Sequence, residues 1–315
     1  MLDELIDSLR VITLPTKTNF RGIDHREVAL FKGRQGWAEF SPFLEYDDQE
    51  SAAWLRCAIE AANIAAPAFK RSSIAVNGTI PAINDKKRIK EIVALYPGVK
   101  TFKIKVGDNL SEDVARIAAV KSLHPQAAIR IDVNGTWSVD DALRNLYAMY
   151  EEVGAFEYVE QPCNTVEELR ELKSKIRIPL YIAGDEVLRK AKDPFDVNLD
   201  GAVDYLILKV QPLGGINRAM KLAEHHKIPV VVSSALESAV GISYGLKLAA
   251  ILPTLDFACG LATASLLKSN VGNLPIVDGN IQITEFEPNF EGLDVSPERF
   301  DWWKNRVMRT AELLK

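Results

Sequence analysis

The sequence predicts an α/β protein in which parallel strand–helix units close into a barrel beneath a smaller α+β cap. Three observations predict it. Eight β-rich runs alternate with amphipathic helical stretches through the middle two-thirds of the chain, the pattern of βαβ units and a parallel sheet. Charged residues recur at the ends of five consecutive runs, about one βα unit apart. Residues 1–72 and 285–315 lack this rhythm and read as the cap.

Taken in order, the cap begins with irregular strands and hairpin turns around ITLPTKTNFRGIDHREVALFKGRQGWAEFSPF. A helix then runs from Gln49 through ESAAWLRCAIEAAN. The barrel, residues 73–284, opens with SIAVNGT near 73, TFKIKV near 101, AAIRIDVN near 127 and FEYVEQP near 156. It continues with PLYIAGD near 179, DYLILKV near 204, PVVVSSA near 229 and LDFACGL near 255. Between them lie helical patterns such as SEDVARIAAVKSL, SVDDALRNLYAMYEEV, TVEELRELKSKI and GINRAMKLAEHH. Thr165 before VEEL forms a Thr-x-x-Glu capping box, and Ser138 is placed to cap the helix after it. Eight units suit a barrel better than an open doubly wound sheet. No Gly-x-Gly-x-x-Gly follows the first strand to support the open sheet.

Composition excludes several classes. The 315 residues are 47% apolar and 26% charged, ordinary for a globular protein with a large core. A net charge of −5 leaves no basic excess for nucleic acid, although a few local lysines suffice for a small anion. Cys57, Cys163 and Cys259 are scattered and odd in number, without zinc spacing, so a reduced, cytoplasmic setting is expected. The acidic start MLDELIDSLRVITL is not a signal peptide, and no apolar run is long enough for a membrane span. Nothing in the sequence calls for an obligate protein partner.

TFKIKV is the most informative strand. Phe102, Ile104 and Val106 mark one face, and Lys103 and Lys105 share the other. An exposed or edge strand would explain that face. In a parallel barrel, however, both faces are buried, and the face away from the helices looks into the interior. Chemistry then gathers at the C-terminal strand ends, where the sequence places Lys103 and Lys105, then Asp132 and Asn134, Glu160, Asp185 and Lys209. Three carboxylates converging there would repel one another unless a cation joins them, and an all-oxygen set favours a hard divalent ion such as Mg²⁺. A lysine beside other cations and partly buried is disposed to lose its proton and serve as a base. The matching chemistry is abstraction of a weakly acidic proton beside a carboxylate, with the developing charge stabilised as it forms.

Lys103-Ile104-Lys105, Asp132-Val133-Asn134, Glu160-Gln161-Pro162, Asp185-Glu186 and Lys209-Val210-Gln211-Pro212-Leu213-Gly214-Gly215 resemble the enolase superfamily, in particular its muconate-lactonizing-enzyme subgroup. The resemblance covers nearly the whole chain. It implies a modified TIM-type (β/α)7β barrel, seven units and a final strand, rather than the eight units read from the pattern. It also implies Asp132, Glu160 and Asp185 as ligands of Mg²⁺, with Mn²⁺ as a substitute, and Lys105 and Lys209 as the acid/base positions. The segment Ser233-Ser234-Ala235-Leu236-Glu237-Ser238-Ala239-Val240-Gly241 is similar to that of o-succinylbenzoate synthases. Phe20-Arg21-Gly22, the segment from Gly36 to Phe43 and Val76-Asn77-Gly78-Thr79-Ile80-Pro81 resemble the short-capped actinobacterial-type branch of that family.

The implied reaction dehydrates 2-succinyl-6-hydroxy-2,4-cyclohexadiene-1-carboxylate to o-succinylbenzoate in menaquinone synthesis, so the expected partner is a small-molecule carboxylate. Lys103, Arg21, Asn134, Ser233, Ser234, Ser238 and Gly260 are the candidate substrate contacts. Strand eight ends Gly260-Leu261-Ala262-Thr263 where many relatives carry an acidic residue, which disfavours dipeptide epimerases and acylamino-acid racemases. An N-acylamino acid racemase or another racemase or cycloisomerase is the alternative within the subgroup. A Schiff-base aldolase using Lys209, or a non-catalytic binding protein, are the alternatives outside it. His25, His124, His225 and His226 lie away from the strand ends, Trp302 and Trp303 read as packing residues, and Gly214-Gly215 as a tight turn.

Overall fold

The computed structural model describes residues 2–107 and 109–314. The cap comprises α1 (Leu2–Asp7), β1 (Arg10–Phe20), β2 (Ile23–Gly33), β3 (Gly36–Phe40) and α2 (Asp48–Asn63). Its three strands form an antiparallel sheet in the order β1-β2-β3. The chain then enters β4 (Ser73–Ala75) and β5 (Gly78–Ile80).

The barrel units follow: α3 (Lys86–Val93), β6 (Thr101–Lys105), α4 (Leu110–Leu123), β7 (Ala128–Asp132), α5 (Val139–Val153) and β8 (Tyr158–Glu160). After them come α6 (Val166–Lys175), β9 (Ile182–Gly184), α7 (Glu186–Arg189), β10 (Tyr205–Lys209), α8 (Ile216–His226), β11 (Val230–Ser233) and α9 (Ala239–Ile251). The strands β5 to β11 lie side by side in sequence order, and their pairings are parallel.

Cys259 and Gly260 close the ring. Gly260 N donates to Val232 O at 2.8 Å on one edge, and Asn77 N donates to Cys259 O at 2.9 Å on the other. This final strand is followed by a 3₁₀ turn, Thr263–Leu266, rather than by an eighth barrel helix. The eight-unit count read from the rhythm is thus corrected to seven units and a strand. The first β-rich run also divides. Ser73–Ala75 pairs antiparallel with β13 (Asn280–Gln282), itself paired with β12 (Ile276–Val277), and only Gly78–Ile80 enters the barrel.

The local signals explain the helices. Thr165 Oγ1 accepts from Glu168 N at 3.2 Å while Glu168 Oε2 accepts from Thr165 N at 2.8 Å, so the capping box is formed. Ser138 accepts from Asp141 N at 3.1 Å at the start of α5. The C-terminal α10 (Pro297–Glu312) returns to the cap and packs Trp303 and Val307 with Trp54 and Leu55 of α2. Trp303 is fully buried and donates its indole N–H to Glu27 at 2.7 Å, a packing role. Among the described residues no helix is long and apolar enough to cross a membrane.

Candidate active site

Strand alternation builds the site. On β6, Phe102 and Ile104 join the core between strands and helices, which turns Lys103 and Lys105 inward. Ile131, Val159 and Leu208 do the same on β7, β8 and β10, turning Asp132, Glu160 and Lys209 inward. Lys105 stands in register with Asp132, and Asp132 with Glu160, so one row across three strands carries a lysine and two carboxylates. Asp185 follows β9 directly and begins α7. Beneath the row the interior is filled by Tyr158, Ala183, Ile207 and Val231.

The charges pair closely. Lys103 Nζ donates to both oxygens of Glu160 at 2.9 Å and lies 3.2 Å from Asp132 Oδ2. Lys105 Nζ donates to Asp132 Oδ2 at 2.6 Å and to Asn134 Oδ1 at 2.7 Å. Lys209 Nζ donates to Asp185 Oδ2, while Arg189 Nε donates to Asp185 Oδ1 at 3.1 Å. Asp132, Glu160 and Asp185 are wholly shielded from solvent.

Burial alone would raise the Asp132 carboxyl, but Lys105, Lys103 and Lys209 outweigh it and hold the group well below the carboxylate range. Asp185 is likewise held low, Lys209 and Arg189 overcoming burial. Glu160 goes the other way: burial and the adjacent Asp132 charge push it up to about 7. For Lys103 burial is again opposed, and Glu160 and Asp132 keep its ammonium charged.

The donor set suits a hard divalent cation. Three buried, oxygen-only carboxylates lie on adjacent strand ends, the donor type that a hard divalent ion takes. Among the described residues no three acidic, histidine or cysteine side chains surround a common point. The lysine ammonium groups take up the carboxylate oxygens instead.

A cavity of about 580 Å³, including its open mouth, lies over the row. Lys103, Lys105, Asp132, Asn134 and Lys209 line its barrel side, which continues past Lys209 onto Ser233, Ser234 and Gly260 of the adjoining strands. Phe20, Arg21, Phe43, Tyr46 and Trp54 form the cap side, and the fully buried Glu160 and Asp185 are not among the lining residues. Ser234 Oγ donates to Gly260 O and lies 2.8 Å from Thr263 Oγ1, which ties the last strand to β11.

Ser238, expected as a substrate contact, is not brought to this cavity. It is fully buried, its Oγ donates to Glu39 Oε2 at 2.5 Å, and it caps α9. The serine-rich segment turns into a helix there, so its hydroxyls do not share one face. Arg21 reaches the mouth with its guanidinium 4.1 Å over the Phe43 ring and donates to Tyr46 Oη at 2.9 Å. The histidines stay outside: His25 pairs with Asp24, His124 ends α4, and His226 contacts Pro194 O.

Several lining residues are absent from the sequence reading. Arg189 follows Asp185 by one helical turn, so a helical reading of DEVLR would have found it. Tyr46, Phe43 and Trp54 carry no such signal, because only cap docking brings them over the barrel. Gln161 shows another kind of constraint. Its φ of 42° is left-handed, and its Oε1 accepts from the backbone of Asp185 and Val187 at 2.9 and 3.2 Å. Asn134 is also left-handed, at φ 55°, which aims its amide between Lys105 and Glu186.

The fold and the charged row define a class. Residues 87–296 match the family "Enolase C-terminal domain-like", and residues 11–62 match "Enolase N-terminal domain-like". Among solved structures, the L-Ala-D/L-Glu epimerase from Bacillus subtilis is similar at a TM-score of 0.74 and 20% identity, covering 91% of this chain and 98% of that one. The muconate lactonizing enzyme from Pseudomonas fluorescens is similar at 0.72 and 20%, covering 94% and 97%. These likenesses establish the fold. The o-succinylbenzoate synthase of Mycobacterium ulcerans (strain Agy99) is 45% identical over 99% of this chain and 96% of its own length. That of Mycolicibacterium smegmatis is 44% identical over 99% and 98%. The chain belongs to the o-succinylbenzoate synthase family of the enolase superfamily.

Proposed function

We propose that the protein dehydrates 2-succinyl-6-hydroxy-2,4-cyclohexadiene-1-carboxylate to o-succinylbenzoate, a hydro-lyase step in menaquinone synthesis. The observation that carries the reading is the pair of lysines, on β6 and β10, lining one cavity with buried carboxylates on the strands between them. The ring loses a proton from the carbon bearing its carboxylate and a hydroxyl from the neighbouring carbon. These leave together as water, and the product ring is aromatic.

Both departing groups lie on one face in a syn elimination, so one proton carrier suffices. We assign that work to Lys105, which takes the proton as base and returns it to the departing hydroxide as acid. Lys209, across the mouth, supplies positive charge to the opposite face by an electrostatic or cation–π contact. Lys103, held by Glu160 and Asp132, keeps positive charge beside Lys105. Asp132, Glu160 and Asp185 would hold a divalent cation, Mg²⁺ with Mn²⁺ as substitute, whose chemistry is to offset negative charge building on the substrate carboxylate. Asn134 orients Lys105; Arg21, Ser233, Ser234 and Gly260 are assigned to the substrate.

The barrel at 73–284 carries the chemistry, and 1–72 with 285–315 form the cap, a division supported by the packing of α10 on α2. A cytoplasmic setting accords with three free, buried cysteines. The direct test supplies the purified protein with the cyclohexadiene substrate and, separately, with N-succinyl amino acids. Dehydration faster than racemisation is expected. Faster racemisation would replace this reading with the N-acylamino acid racemase.

A further inference from the structure

The N-termini of two consecutive barrel helices are capped by carboxylates that belong to the cap. α8 begins at Gly215, which has no side chain to satisfy the first amides. Glu60 of α2 fills that position. Its carboxylate accepts from Ile216 N at 2.6 Å, Asn217 N at 3.3 Å, Asn217 Nδ2 at 2.9 Å and the Tyr244 hydroxyl of α9 at 2.8 Å. The backbone there favours glycine, and its missing side chain leaves room for the carboxylate. Its φ is +111°, and a Cβ there would stand 2.5 Å from Glu60 Oε1.

α9 repeats the arrangement. Glu39 of β3 accepts from Ser238 Oγ at 2.5 Å, Ser238 N at 3.1 Å and Gly241 N at 2.9 Å, while Ser41 and Gln211 bind its other oxygen at 2.5 and 3.3 Å. Added to Gly241, a Cβ would stand 2.8 Å from the Glu39 carboxylate. A negative charge at a helix N-terminus meets both the free amides and the positive end of the helix dipole.

The placement ties these contacts to the cavity. α8 follows the strand that carries Lys209, and α9 follows the strand that carries Ser233. On the cap side, Glu39 leads directly into the Phe43–Tyr46 segment, and Glu60 shares α2 with Trp54. We propose that Glu39 and Glu60 are positioning residues that key the cap onto these two βα units, so fixing the apolar wall of Phe43, Tyr46 and Trp54 against the charged row. Neither touches substrate; each acts through the wall it places. The kinetic readout rests on the dehydratase reading, and a second readout does not.

Glu60→Ala is the informative variant, because Glu39 is deeply buried and its loss threatens folding. With the full-length protein, Glu60→Ala should raise KM about tenfold with kcat within about twofold, and Glu60→Gln, which keeps two accepting lone pairs, should recover most of the loss. Arg10→Ala, which removes an exposed ion pair elsewhere in the cap, is the control. Hydrogen exchange over residues 43–54 is read in parallel without any substrate. Faster exchange there in Glu60→Ala but not in Arg10→Ala supports the latch, even if the wild-type protein dehydrates nothing. Unchanged exchange, or a fall in kcat at constant KM that Glu60→Gln does not relieve, overturns it.

Discussion

Lys105 and Lys209 share a residue type and differ in their surroundings. Lys105 lies between Asp132 and Asn134 with 22% of its side chain exposed, whereas Lys209 is gripped by a fully buried Asp185. Arginine keeps the charge but does not release a proton near neutral pH. Lys105→Arg should therefore lower kcat at least about 10³-fold, while Lys209→Arg keeps a measurable fraction, followed by the absorbance of the aromatic product. A dead Lys209→Arg beside an active Lys105→Arg would reverse the assignment. A second residue-scale expectation concerns Glu237. Burial, then the neighbouring Glu39 charge, pushes this carboxyl from 4.5 up to about 7. Between those values the folded chain keeps a proton that the unfolded chain releases, so this group's contribution to stability falls as pH rises through that window. Glu237→Gln should remove the effect. Denaturant titrations should show the variant gaining on the wild type by about 3 kcal/mol between pH 4 and pH 8. A difference that does not change with pH would refute it.

At the scale of elements, alternation and capping were legible and partnership was not. The Thr165 capping box and the inward face of TFKIKV follow from local sequence and recur in the structure. SIAVNGT reads as one strand but splits, because Ala75 finds an antiparallel partner in Asn280, far along the chain, before β5 joins β6. α10 is a similar case. Its helical pattern is local, but its purpose lies in Arg306, whose buried guanidinium donates to Phe43 O at 3.0 Å, Tyr46 O at 2.7 Å and Ser51 Oγ at 2.9 Å. It thus holds the cavity wall from behind. Arg306→Met would leave Tyr46 O unpaired, while Phe43 O keeps Tyr46 N and the Ser51 hydroxyl keeps Asp47 O, and thermal or urea unfolding should show a loss of about 2 kcal/mol. A loss below about 0.5 kcal/mol would mean that water replaces the guanidinium without cost.

For the molecule as a whole, the barrel gathers onto one row groups that are far apart in sequence, and the cap closes over them. If Asp132, Glu160 and Asp185 share a divalent cation, EDTA should abolish turnover and Mg²⁺ or Mn²⁺ should restore it. Asp185→Asn should lose metal affinity by calorimetry while its far-ultraviolet dichroism stays that of the wild type. Full turnover after chelation would exclude the metal. By itself the sequence determined the parallel barrel, the spacing of Lys103, Lys105, Asp132, Glu160, Asp185 and Lys209 at successive strand ends, and the family their order resembles. It could do so because strand alternation and the βα repeat are local periodicities, which bring equivalent positions to one rim. Only the tertiary structure decided that Ser238 serves Glu39 rather than the cavity, that Phe43 and Tyr46 join the site, and that cap carboxylates start two barrel helices. Those facts depend on contacts between segments remote in the chain, for which no local period exists.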